Sequence, residues 1–166
     1  VGIVVLAGIV YGLVSLVRGP AEPTAEETTA APTPCATATV AVSEVLPAAS
    51  KVTVNVYNAT DTSGLASKTA TALEKRDFTV GKVGNDPVGK PITGVAQIRF
   101  GPKAALQAQV LLLQVPGAEM VELQRGGKKV DVAMGDTFNG LAPQEDVDAQ
   151  LAAPTPVASG PGCPSS

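Results

Sequence analysis

The chain has no histidine, only two cysteines, and no excess of basic residues. Without histidine there are no Ser-His or Cys-His nucleophile pairs, no histidine-based zinc site and no usual general base near neutral pH. Carboxylate pairs and lysine chemistry stay formally open, but no local spacing singles out such a pair. No catalytic residue and no cofactor are assigned, and a non-enzymatic role is expected. Two thiols alone make a poor metal site. With 12 basic against 15 acidic residues and a formal charge of −3, and with no basic, aromatic-rich run, nucleic acid has no electrostatic grip on the chain. At 166 residues there is room for one domain and its flanks, not for a second core.

What is present begins with an uncharged apolar run from Val1 to Val17. At about 1.5 Å per residue it gives roughly 25 Å of helix, slightly short of a hydrocarbon core of about 30 Å. Residues 1–18 are expected to be a membrane anchor that upstream residues complete; the other reading is a secretory h-region. Residues 19–44 are rich in Pro, Thr, Ala and Glu and form an expected extended stalk, of the composition that is often glycosylated. Residues 45–152 are the expected folded domain, and residues 153–166 an expected flexible Pro/Gly/Ser tail. Cys35 and Cys163 bracket the domain. An even count on the outer side of a membrane favours a disulfide between them, which in the chain-entropy model adds about 5 kcal/mol at best; free thiols or a bond to a partner are the alternatives.

Within the domain, Val52, Val54 and Val56 alternate with Thr53, Asn55 and Tyr57, the pattern of a half-buried strand ending at Asn58. Residues 59–64 are small and polar, and a helix capped at Thr62 is expected to run from Leu65 to about Arg76. A strand over 78–83 follows, then a Gly/Pro-rich loop over 88–94, which is either an ordinary connection or a binding element. A third strand over 95–100 leads through Gly101-Pro102 into a largely apolar helix over 103–114, expected to be buried or to pack on another molecule. Strands over 119–123 and 130–134 flank Gln124-Arg125-Gly126-Gly127-Lys128, whose glycines suit a hairpin. Residues 135–138 form a turn that returns Phe138 to the core, and 143–151 a short acidic helix. The order β-α-β-β-α-β-β predicts an α/β two-layer sandwich, a mixed sheet of about five strands with both helices on one face and the other face partly open.

These segments together resemble the LytR C-terminal domain family of bacterial envelope proteins. The resemblance rests on Val54-Asn55-Val56-Tyr57-Asn58 followed by Ser63-Gly64-Leu65-Ala66, on Phe78 to Val83, on Ile98-Arg99-Phe100-Gly101-Pro102 and on Gly135-Asp136-Thr137-Phe138. In many members the domain trails a catalytic LytR-CpsA-Psr domain that joins glycopolymers to peptidoglycan, and no such domain fits this chain. The likeness is to the stand-alone, membrane-anchored actinobacterial and mycobacterial kind. It implies a non-catalytic module on the outer side of the cytoplasmic membrane, linked to envelope integrity, peptidoglycan attachment and membrane vesicle release. The implied partners are peptidoglycan or a linked envelope glycopolymer, LytR-CpsA-Psr ligases and, as a possibility, a second copy of the chain. The alternative is a protein-protein scaffold without glycan contact.

The candidate site is the turn into the first helix, with Asn58, Thr60, Thr62, Ser63 and Gly64, where free N–H groups and the positive dipole end can meet a carboxylate or sugar hydroxyl. Arg99 and Lys103, if they share that edge, add charge for peptide-stem carboxylates. The plainer readings are βα capping for the turn and a solvated outer-face side chain for Arg99.

Overall fold

The computed structural model describes residues 36–159. The apolar run at residues 1–17, residues 19–35 of the stalk, including Cys35, and Cys163 lie outside them, and no helix among the described residues is long and apolar enough to cross a membrane.

The strand β2, Thr53–Asn58, buries Val54, Val56 and Asn58 on one face, as its alternation predicts. It is followed by α2, Leu65–Glu74, whose Ala66, Ala70 and Leu73 face the sheet, and by β3, Thr79–Asn85, which pairs with β2 in parallel. The second unit repeats the plan: β4, Ala96–Phe100, a 3-10 turn over Pro102–Ala104, α3 over Ala105–Gln114, and β5, Glu119–Glu122, parallel to β4. Right-handed crossovers in both units put α2 and α3 on the same face. Their buried residues join those of the sheet in one cluster running from Val52 to Met134. The cluster itself lies within the α/β layers, and Leu46, Ala49, Phe138 and Leu141 of the flanking segments pack against it.

Between the two units lies β6, Val130–Met134, parallel to β2 and antiparallel to β4, so the sheet order is β3-β2-β6-β4-β5. This corrects the expected hairpin over 124–128: β5 and β6 do not pair. Val130, Val132, Ala133 and Met134 are all fully buried, and only a central strand, covered on both faces, hides consecutive side chains in this way. The chain from β5 to β6 instead passes the end of β4. There Leu123 donates its N–H to Phe100 O, and Arg125 donates to Arg99 O and forms an ion pair with Asp131.

The ends of the described chain also depart from expectation. Residues of the stalk and of the tail, expected to be extended and flexible, form β1, Ala36–Ala41, and β7, Pro154–Ser159, an antiparallel ribbon separate from the main sheet. Val42 N–H donates to Ala153 O, which puts Pro154 and Pro156 at the positions whose missing N–H the ladder does not need. A single helical turn α1, Val42–Val45, and the acidic helix α4, Gln144–Ala152, connect this ribbon to the domain.

Candidate functional site

Strands β2, β3 and β6 all end at one edge of the sheet, where the turn 59–64 and the connection 86–95 meet. The connection leaves the outer strand β3 and crosses the ends of β2 and β6 to reach β4. It is pinned on the way: Asp86 N–H donates to Asn58 O, Asp136 N–H to Ile92 O, and Gly135 N–H to Val95 O. Gly135 is required here, since a Cβ on it would lie 2.2 Å from Gly94 O.

Between turn and connection opens a cleft of about 540 Å³, lined by residues 58–64 on one side and by Asn85, Asp86, Gly89, Lys90 and Pro91 on the other. It stands at the C-terminal ends of parallel strands, the edge at which open α/β sheets hold ligands. Asn58, buried to 8% exposure, shapes the turn. Its Nδ2 donates to Thr62 O, and its Oδ1 accepts from the N–H and the hydroxyl of Thr60, whose Oγ1 accepts in turn from Thr62 N–H.

Thr62 was expected to cap α2, and it does not. The N-cap is Gly64, at φ 75°, with no side-chain cap. The Thr62 backbone is already engaged by Asn58 and Thr60, and the left-handed residue that redirects the chain into the helix is one that glycine adopts without strain. The first N–H groups of α2 thus have no side-chain acceptor at the mouth of the cleft, where the helix dipole adds positive potential.

The charged candidates part company. Arg99 lies on the face away from the helices, but it is not solvated. Its Nη1 and Nη2 donate to the two oxygens of Asp86 at 2.7 and 3.0 Å, and its Nε and Nη2 donate to Gln97 Oε1. The Arg99 and Asp86 side chains are only 9% and 1% exposed. Arg99 therefore acts on the cleft from behind, by fixing Asp86 in its wall. Lys103 follows β4, which runs opposite to β2, so it stands at the other edge of the sheet and is not brought to the turn.

The Gly/Pro-rich loop over 88–94, which the sequence offers as an ordinary connection or a binding element, contains Gly89 and Lys90 of the cleft. Asp86, just before it, is legible in the sequence only as part of the turn that ends β3. Behind the cleft, Asn55 Nδ2 donates to Asp131 at 2.7 Å and Arg125 pairs with the same carboxylate. Tyr57, beside them, has its hydroxyl pKa raised above 10 by burial and, secondarily, by the charge of Asp131.

Residues 51–138 match the LytR_C family, described as LytR cell envelope-related transcriptional attenuator. The chain is 36% identical over 126 residues to the cell envelope integrity protein Cei of Mycobacterium tuberculosis, covering 74% of this chain and 58% of that protein. It thus spans a little over half the length of that relative. A solved structure, the soluble domain of a conserved hypothetical secreted protein from Mycobacterium marinum, superposes with a TM-score of 0.59 at 30% identity, covering 69% of this chain and 81% of that one.

Proposed function

The chain belongs to the LytR_C family, and on that premise we propose that it is a non-catalytic cell-envelope module whose domain lies outside the cytoplasmic membrane and holds peptidoglycan or a linked glycopolymer. The observation that carries this reading is the polar cleft at the strand ends. Its walls offer hydroxyls, backbone amides and the uncapped start of α2, groups that pair with the hydroxyls, amides and carboxylates of a wall polymer. Asp86 is held by Arg99 and Asp61 is the other carboxylate of the lining, so a stem carboxylate is received at the Lys90 and helix-start side, and Asp61 accepts from sugar hydroxyls or amides. The envelope role of Cei and the secreted character of the M. marinum protein support the location. In this reading the apolar N-terminal run ties the domain to the membrane, and the link between membrane and wall sustains envelope integrity and moderates vesicle release.

The test is cosedimentation of the domain with purified peptidoglycan, comparing wild type with Ser63→Tyr, an exposed position on the cleft wall where a large side chain fills the opening without touching the core. Wild type is expected to pellet and Ser63→Tyr to stay largely in the supernatant. If neither pellets, direct wall binding is wrong, and the scaffold for LytR-CpsA-Psr ligases becomes the working reading.

A further inference from the structure

On the helix layer a second cleft, of about 430 Å³, runs between α2 and the segment 138–141, and it shares no lining residue with the first. One stripe of α2, spaced by three and four residues, forms its wall: Leu65, Lys68, Ala72 and, just past the helix, Arg76. Phe138 and Leu141 form the opposite side.

Arg76 is the unusual member. It is half-buried, and its guanidinium donates to Gln114 Oε1 at 2.6 Å and to the Ala142 carbonyl at 2.8 Å. Both acceptors are neutral. The two ion pairs among the described residues belong to Arg99 and Arg125, so among those residues Arg76 meets no carboxylate and its remaining N–H groups meet no acceptor. It also lines a third cleft, of about 310 Å³, whose walls include Leu46, Val110, Leu113 and Leu151. Among the described residues no carboxylate lines either of these two clefts, although the chain as a whole is acidic. A partly desolvated guanidinium without a counter-ion, with Lys68 two helical turns away on the same stripe, attracts an anion. Apolar walls on both sides of it receive hydrocarbon.

We propose that the cleft between α2 and residues 138–141 binds an amphiphile consisting of a hydrocarbon chain with one anionic group, the anion held by Arg76 and Lys68 and the chain lying on Leu65, Ala72, Phe138 and Leu141. The anion is a carboxylate or a phosphate monoester. The two have the same fork geometry toward a guanidinium, and they come from different sources, a fatty acid or a phosphorylated long-chain alcohol.

The experiment uses the domain of residues 36–159, which contains the whole core cluster together with the flanking Leu46, Ala49, Phe138 and Leu141 that pack on it, and which lacks the apolar run that would itself take up amphiphiles. Decanoate, decyl phosphate, decanol and inorganic phosphate are titrated below micellar concentrations, with affinity read by calorimetry and location by NMR. Both chain-bearing anions are expected to shift the signals of Leu65, Ala72, Phe138 and Leu141, with the tighter of the two naming the source. Decanol and inorganic phosphate are each expected to bind at least about tenfold more weakly. Lys68 is exposed and its side chain makes no hydrogen bond to any of the described residues, so Lys68→Glu leaves the fold intact while weakening both anions about tenfold and leaving decanol unchanged. The proposal is overturned if decanol binds as tightly as decanoate, if inorganic phosphate matches decyl phosphate, if the shifts fall outside this cleft, or if Lys68→Glu binds both anions like wild type.

Discussion

The buried pair Arg99–Asp86 couples the middle of the sheet to the wall of the polar cleft, and its chemistry decides what substitutions there do. Arg99→Ala leaves the buried Asp86 carboxylate without a counter-charge, its other partner being the Val88 N–H at 3.4 Å, so urea unfolding is expected to show a loss of about 3–5 kcal/mol. The double variant Arg99→Ala/Asp86→Ala is expected to lose less than Arg99→Ala alone; an equal or larger loss would mean that the pair is not the source of the effect. The alternation of β4 correctly puts Arg99 on the face away from the helices, but nothing local indicates its partner, thirteen residues earlier in a turn. Tyr57 supplies a pH signature. Its folded pKa is raised, so the folded state keeps a proton that the unfolded state gives up. The stability tied to that neutral hydroxyl is complete below about pH 10. It is lost as pH rises from there through the folded value. Tyr57→Phe is expected to flatten this alkaline decline in a series of unfolding curves.

At the scale of elements, the turn into α2 separates two readings of the same residues. If Thr62 capped the helix, Thr62→Ala would cost about 1 kcal/mol. With Gly64 at the N-cap, the expected cost is below about 0.5 kcal/mol. Asn58→Ala, by contrast, removes the acceptor and the donor that hold Thr60 and Thr62, and is expected to cost about 1–3 kcal/mol, with faster amide exchange at Thr60 and Thr62. The residue types of the turn are visible in the sequence. Which of them caps is not, because an Asx-type turn and an N-cap draw on the same side chains. The ribbon of β1 and β7 makes the same point about the ends. Low-complexity composition predicts extended chain, and extended chain it is, but paired. Ala36 faces Ser159 across the ribbon, and the cysteines lie just beyond these two residues in sequence. The expected Cys35–Cys163 disulfide is checked by alkylation and mass measurement of the oxidised protein, which should show no free thiol. Cys35→Ser should then lower stability by no more than about 5 kcal/mol.

For the whole molecule, a single core cluster spanning both βαβ units and β6 implies one cooperative transition. Calorimetric and van't Hoff enthalpies of the domain are expected to agree, and two resolved transitions would mean that the units fold separately. The sequence by itself determined the strands and helices of both units, because their apolar periods of two and 3.6 residues are local properties of the chain. It also determined the family resemblance, carried by short segments in a fixed order, and the site of the turn at Asn58 to Gly64. Tertiary structure alone decided the order of the strands. Strand β6 sits in the centre rather than beside β5, because a strand with Val130, Val132, Ala133 and Met134 all buried needs neighbours on both sides and cover on both faces. From that order follow the parallel strand ends at one edge, the long crossing connection that closes the polar cleft, the turning of Arg99 from a solvated side chain into a buried brace, and the placing of Lys103 at the far edge. Each depends on which residues distant in the chain become neighbours, and periodicity within a segment carries no information about that.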